Sequence, residues 1–305
     1  MLRGEELRKV YTSGIISVTK KVAVDRVSIS IGKGETIAIV GESGCGKSTL
    51  VKMLTMQLPA TKGEVYFSDE KLTGMKWKEL RQHIVKFQMI PQNPDDAVDP
   101  RWELGRSVAE PLILSGKYSQ KEIDQIVPEL LAEVGLGPEF MTRYPHQVSG
   151  GELQRIVIAR ALALKPELLV CDEATSMLDV SVQSYIMSLL NDIQKKRNIA
   201  LIIITHDLVF ANAVADLTYV MFGGKLVEIG EDVFTHPLHP YTQALWNAAH
   251  YREMATLPGE KPPIPEEGCR YYDRCTYRDD QCKEMQVLRD IDGRKVRCVH
   301  PLRDT

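Results

Sequence analysis

A mixed α/β fold built on a parallel sheet is what this sequence predicts, and three observations carry the prediction. Gly41-Glu-Ser-Gly-Cys-Gly-Lys47-Ser48 joins an apolar strand, Thr36–Val40, to a helix expected over Lys47–Leu58. Leu168-Leu-Val-Cys-Asp172-Glu173 is an apolar strand that ends on two carboxylates. After it, Val182, Tyr185, Ile186, Leu189, Leu190 and Ile193 recur at helical spacing ahead of a strand at Ala200–Thr205. Strand, amphipathic helix, strand is a right-handed βαβ unit of a parallel sheet.

The remaining elements follow in chain order. Val22–Ile31 alternates apolar and polar residues and reads as a strand leading toward the glycine loop. Pro59 and Gly63 mark a turn before a further strand, Glu64–Phe67. Residues 94–165 read as mostly helical. Ser119-Gln-Lys-Glu122 is a capping box, in which Ser and Glu satisfy orphan amides at a helix start. The stripe Ile123, Ile126, Val127, Leu130, Leu131 and Val134 follows it, and Pro128 within the stripe predicts a kink. Gly223-Gly224 reads as a hairpin turn between Tyr219–Phe222 and Lys225–Ile229. Beyond Ile229 the texture changes. Pro237, Pro240, Pro258, Pro262, Pro263 and Pro265 introduce a tail that holds four of the six cysteines.

Composition narrows the class. Apolar residues at 44% and charged residues at 26% describe an ordinary globular protein, and a net charge of −3 gives no global attraction to nucleic acid or anionic membrane. The longest apolar runs, such as Leu201–Ile204, fall far short of the roughly 20 residues that span a bilayer. Met1–Lys21 carries charges throughout and lacks the apolar centre of a signal peptide. The expectation is a cytosolic protein, or one held on a membrane only through partners. Cys45 and Cys171 lie inside motifs where small residues pack and read as fillers.

The motifs point to a nucleotide. Glycines let backbone amides close around phosphates, and the helix N-terminus adds positive potential. Gly41, Ser43, Gly44, Cys45 and Gly46 are the candidate cradle, Lys47 the candidate for the β- and γ-phosphates, Ser48 for Mg²⁺, and Thr49 for the α-phosphate end. Asp172 is placed to hold Mg²⁺, and Glu173 to orient or deprotonate an attacking water. Ser149-Gly150-Gly151-Glu152 is also a capping box, but capping does not require two glycines. They let amides approach an anion closely, and with one phosphate loop already present, this second site fits a partner's nucleotide.

On these residues the chain resembles the ATP-binding subunits of ABC transporters. The resemblance implies a P-loop ABC ATPase fold: a RecA-like parallel-sheet core, an antiparallel β subdomain, and a helical subdomain at about residues 94–165. It implies a nucleotide-binding domain over residues 1–235, a small Cys-rich extension over residues 236–305, and ATP hydrolysis. Val148-Ser-Gly-Gly-Glu152 is similar to the family signature Leu-Ser-Gly-Gly-Gln; Glu for Gln adds charge near where a γ-phosphate would lie. Gln92, in Met89-Ile-Pro-Gln-Asn-Pro94, resembles the glutamine that touches Mg²⁺ or water and relays state to the membrane subunits. Ser176-Met-Leu-Asp179 resembles the loop that crosses the dimer interface, and His206 the histidine that senses the γ-phosphate. Tyr11 is the candidate for stacking on adenine.

The tail narrows the resemblance. Val233-Phe-Thr-His236-Pro-Leu-His-Pro240-Tyr241-Thr242 and Tyr144-Pro-His-Gln-Val-Ser-Gly-Gly are similar to segments of oligopeptide and dipeptide importer ATPases, and Ser48–Gln92 looks more like the F-type than the D-type member of the pair. That family's extension carries four cysteines, matched by Cys269, Cys275, Cys282 and Cys298. Disulfides do not suit a reducing cytosol. Intervening gaps of five, six and fifteen residues are wider than the pairs usual for zinc, whereas iron–sulfur spacings are more permissive, and relatives bind a 4Fe–4S cluster there. Either group would staple a tail too poor in apolar residues to fold on its own core.

The implied partners are a second ABC ATPase subunit (a D-type paralogue, or a second copy in isolation), two transmembrane permeases and an extracytoplasmic binding protein. The subunit would then sit peripherally on the cytoplasmic face of the membrane. Cargo would be di- or oligopeptides, with nickel and oligosaccharides as the alternatives. Two rival readings are a soluble ABC ATPase acting on nucleic acid or ribosomes, and a redox-responsive module. Against the first, the chain has one cassette and no sustained heptads, and nine basic residues face seven acidic ones from Cys269 onward.

Overall fold

The computed structural model describes residues 1–13, 19–174, 178–251, 265 and 267–302. The chain forms two compact units, Met1–Gly74 with Ile203–Thr305, and Met75–Ile202. Pro258, Pro262 and Pro263 of the expected connection, and Ser176 and Met177 of the expected interface loop, lie outside the described residues.

The first unit opens with β1 (Leu2–Ser13), β2 (Thr19–Ile31) and β3 (Thr36–Val40), then α1 (Lys47–Leu54), β4 (Lys62–Phe67) and β5 (Glu70–Lys71). An antiparallel sheet in the order β2-β1-β4-β5 is the β subdomain that the family resemblance implies. In β2, Val27, Ile29 and Ile31 are buried while Arg26, Ser28 and Ser30 face water, the period-two pattern of a half-buried strand. All five residues of β3 are buried, as expected for a strand covered on both faces. Helix α1 stops earlier than the sequence pattern predicts. The Thr55 hydroxyl donates to the Val51 carbonyl at 2.9 Å, Met56 turns left-handed at φ +59°, and the Leu58 amide closes the end on the Lys52 carbonyl at 2.9 Å.

The second unit holds α2 (Trp77–Ile84), β6 (Phe87–Ile90), α3 (Leu104–Ser115), α4 (Gln120–Glu133), α5 (Gly150–Leu162), β7 (Leu168–Asp172) and α6 (Val180–Arg197). Helices α3, α4 and α5 pack on one another. Both capping boxes form, with Ser119 at the start of α4 and Ser149 at the start of α5. Pro128 removes one helical donor, yet α4 runs on past it because Ile123, Val127, Leu130 and Leu131 are all buried on one face. Strands β6 and β7 are parallel, with Ile90 opposite Cys171.

β8 (Ala200–Ile204) carries the chain back into the first unit, followed by α7 (Leu208–Val214), β9 (Leu217–Phe222), β10 (Lys225–Gly230), α8 (Pro240–Tyr251), β11 (Arg289–Ile291) and β12 (Arg294–Val296). Here β3 pairs in parallel with β9, and β9, β10, β12 and β11 continue as an antiparallel ribbon. The expected hairpin turn is present, with Gly223 and Gly224 at φ +55° and +83°. A second one, Asp292-Gly293, joins β11 to β12 with φ of +52° and +79°. The tail has little core of its own. Tyr271 is buried in the cluster that includes Ala38 and Val40 of β3 with Phe222 and Tyr241, and Cys269 and Cys275 pack against that cluster.

Candidate functional site

The glycine loop sits where a buried strand hands over to α1, and its backbone is one that only glycine accepts. Gly41 lies at φ +146°, and a Cβ on it would meet the Met221 carbonyl at 2.1 Å; Gly46 lies at +111°, with the Ala23 carbonyl at 2.3 Å. Gly44, at +78°, faces open space, so conformation alone requires it. Ser43 and Gly44 are exposed, while Ser48 and Thr49 are partly buried in the first turn of α1. The Lys47 ammonium is buried and donates to the carbonyls of Gly41 at 2.7 Å and Glu42 at 3.2 Å. Cys45 is buried, and burial pushes its thiol pKa up, which suits a filler rather than a nucleophile.

In the same unit, His206 is exposed between β8 and α7, where Asp207 caps the helix by accepting from the Phe210 amide at 2.9 Å. Tyr11 is 43% exposed near the end of β1, with the Lys9 ammonium 5.5 Å from its ring centre.

The second unit brings two expected residues together. The β6–β7 register carries Gln92 and Glu173 to the same strand ends, and Gln92 Nε2 donates to Glu173 Oε2 at 3.1 Å. Glu173 takes φ +50°, a left-handed conformation uncommon for a residue with a side chain. Asp172 precedes it at the end of β7. Asp179 is exposed at the start of α6.

Ser149 and Gly150 are exposed at the N-terminus of α5. The Glu152 carboxylate folds back to accept from both the Ser149 amide and hydroxyl at 2.8 Å, and these bonds lower its pKa. Its charge is thus absorbed by the cap. Gly151 has a packing reason that spacing alone does not reveal: a Cβ there would approach Val182 Cγ1 of α6 to 2.6 Å.

Ser48 in the first unit, and Gln92 and Asp172 in the second, each carry a side-chain oxygen, the donor type suited to Mg²⁺. The tail offers a different set. Cys269, Cys275, Cys282 and Cys298 line one cavity of about 10 Å³ together with His239. All four are free thiols. Burial, followed by mutual repulsion among the four, pushes Cys298 up to about 12. His239 is buried, accepts from the Tyr241 amide through Nδ1 at 3.0 Å, and leaves Nε2 without a partner. Among the described residues, the one trio of ligand atoms mutually within 4.8 Å is Asp279, Cys282 and His300. Four thiols are the donor class of a thiolate-held metal ion or cluster.

The three arginines interleaved with the tail's tyrosines are engaged within the protein. Arg270 meets Asp25 at 3.0 Å, Arg274 meets Glu42 at 2.6 Å, and Arg278 donates to the Asp273 carbonyl at 2.9 Å. No described helix is long and apolar enough to cross a membrane.

Comparison with known proteins covers both ends of the chain. Residues 24–176 match the ABC transporter family model, and residues 227–282 match the oligopeptide/dipeptide transporter C-terminal region. The dipeptide transport ATP-binding protein DppF of Haemophilus influenzae is 40% identical, with 98% of this chain and 96% of that protein covered. The oligopeptide transport ATP-binding protein OppF of Salmonella typhimurium is 41% identical over 91% of this chain and 87% of that one. A solved dimeric ATP-binding cassette in a post-hydrolysis state, bound to ADP and Pi, superposes with a TM-score of 0.68 at 28% identity, covering 75% of this chain and 98% of that one.

Proposed function

The chain belongs to the ABC transporter family, in the branch with the oligopeptide/dipeptide C-terminal region, and from that premise we propose how its residues work. It is an ATP-hydrolysing, energy-coupling subunit that binds ATP at the head-to-tail interface of a cassette dimer. Its transporter imports di- or oligopeptides, cargo being selected by permeases and an extracytoplasmic binding protein. The partner cassette is a D-type paralogue or a second copy, and the subunit rests on the cytoplasmic face of the membrane through the permeases. The nucleotide-binding domain spans residues 1–235, with a helical part at about 94–165, and the extension spans 236–305.

Catalysis is chiefly positioning and charge stabilisation of phosphoryl transfer to water. The amides of Gly41–Thr49 and the Lys47 ammonium hold the phosphates, and Lys47 moves from its present carbonyl partners to the β- and γ-oxygens. Glu173 orients the attacking water, and Gln92 steadies that carboxylate. His206 senses the γ-phosphate, Tyr11 stacks on adenine, and Asp179 lies at the interface. Ser149, Gly150, Gly151 and Glu152 form the helix start that meets the partner's nucleotide. Ser48, Gln92 and Asp172 would hold Mg²⁺, which would supply charge neutralisation for the phosphoryl oxygens. The four tail cysteines would hold a 4Fe–4S cluster, which would supply a covalent cross-link to a segment with little core. The intervening gaps of five, six and fifteen residues, wider than the pairs usual for zinc, support the cluster over zinc.

The Gln92–Glu173 hydrogen bond carries the catalytic reading. Replacing Glu173 with Gln is expected to preserve ATP binding and lower turnover at least about 100-fold, trapping a closed dimer. Hydrolysis at the parent rate in that variant would refute the role of Glu173.

A further inference from the structure

Glu42, inside the phosphate loop, is gripped by the C-terminal extension. Its amide donates to the Tyr241 hydroxyl oxygen at 2.9 Å. Its carboxylate receives both Nη1 and Nη2 of Arg274, at 3.0 and 2.6 Å. Its carbonyl accepts from the Cys45 amide and the Lys47 ammonium, each at 3.2 Å. The amide and carboxylate are thus held by the extension, and the carbonyl by the loop itself.

Neither outside group is loose. Tyr241 is 1% exposed and packs on Phe222 and Tyr271. The Arg274 guanidinium lies 5.4 Å from the Phe222 ring centre and 5.3 Å from that of Tyr271. It ends a short 3₁₀ turn, Tyr272–Arg274, bounded by two cysteines: the Tyr272 amide donates to the Cys269 carbonyl and the Cys275 amide to the Tyr272 carbonyl, both at 3.1 Å.

We propose that the extension is a brace for the phosphate loop, with Tyr241 and Arg274 acting through Glu42 as positioning residues for nucleotide binding. The inference rests on reading Gly41–Thr49 as the ATP cradle. The physical need comes from the glycines. Gly41, Gly44 and Gly46 allow the loop its shape but leave it the most conformational freedom to lose when phosphates bind. Fixing Glu42 beforehand, on two side chains already packed against Phe222, removes part of that ordering cost, which is the general effect of preorganisation. The bidentate Arg274 contact also sets the direction of the peptide, as a lysine could not. The brace acts before chemistry, so its loss weakens binding more than turnover.

The test is MgADP binding to the full-length chain by titration calorimetry, with steady-state ATPase in the assembled transporter. Tyr241→Phe keeps the buried ring and deletes one hydroxyl; Arg274→Gln deletes the ion pair. Each is expected to weaken MgADP binding and raise KM about ten-fold while kcat stays within about two-fold. Arg274→Glu is expected to lose more, and adding Glu42→Arg to it to recover most of the loss. Parent affinity in both Tyr241→Phe and Arg274→Gln, with Lys47→Ala unable to bind, would overturn the brace and leave the cradle reading standing. Parent affinity in Lys47→Ala would remove the cradle reading, and the brace with it. Should Arg274→Gln fail to fold, Tyr241→Phe decides alone.

Discussion

Glu152 occupies the position where the family signature has glutamine, and the structure gives its charge a local use. Its carboxylate accepts two hydrogen bonds from Ser149, so one residue closes the helix cap that the partner's nucleotide would face. Glutamine can make the same bonds through its amide oxygen, and Glu152→Gln is expected to keep at least half the parent ATPase rate. Glu152→Ala removes the reciprocal cap and is expected to destabilise the chain by about 1 kcal/mol, read as a shift in the denaturant midpoint. Asp25 is the buried counterpart. Burial alone would raise its carboxyl, but Lys225, Arg270 and Arg8 together bring it below the ordinary value. A carboxylate lowered in the folded state contributes stability above its unfolded pKa and loses it as pH falls through the folded one. Asp25→Asn is therefore expected to destabilise by roughly 3 kcal/mol at neutral pH, with the gap to the parent closing below about pH 4 in urea titrations. A gap unchanged at low pH would contradict this account. Both capping boxes were legible in the sequence because their partners lie three residues apart. Asp25 was not, because Arg270 is 245 positions away.

At the scale of elements, spacing predicts best where local rules act alone. The Gly223-Gly224 hairpin and the α5 start follow from turn and cap chemistry. β1 is not legible in the pattern, because Arg3, Glu5, Glu6, Arg8 and Lys9 disguise a strand paired on both sides by β2 and β4. The β11–β12 hairpin is hidden because its strands are three residues each and carry Arg289, Asp290, Arg294 and Lys295, leaving Asp292-Gly293 as the signal. Helix α1 ends early because a left-handed Met56 overrides an apolar pattern that continues to Leu58. Gly151 shows how two reasons can share one residue. Its Cβ would press on Val182, so Gly151→Ala is expected to destabilise by about 1–3 kcal/mol, and Val182→Ala to relieve most of that. ATPase activity restored by Val182→Ala would assign Gly151 to packing. Activity still absent in a stable double variant would assign it to close approach of the nucleotide.

For the whole molecule, the extension has a use beyond closing the chain. The His239-Pro-Tyr-Thr242 segment places a buried tyrosine, Tyr241, on the phosphate loop. Arginines interleaved with tyrosines, which in sequence suggest stacking on nucleic acid, are spent on Asp25, Glu42 and neighbouring rings. The exposed start of α5 and the Gln92–Glu173 pair are each incomplete as a catalytic site, and the central claim is that a second cassette completes them. Complementation tests this most directly. Lys47→Ala and Ser149→Arg subunits, each inactive alone, are mixed and assayed for ATP hydrolysis. The account predicts recovered activity, because the mixed dimer holds one site with an intact phosphate loop from one subunit and an intact Ser149 from the other. A mixture in which subunits demonstrably exchange but hydrolysis stays at the level of the separate variants would contradict it.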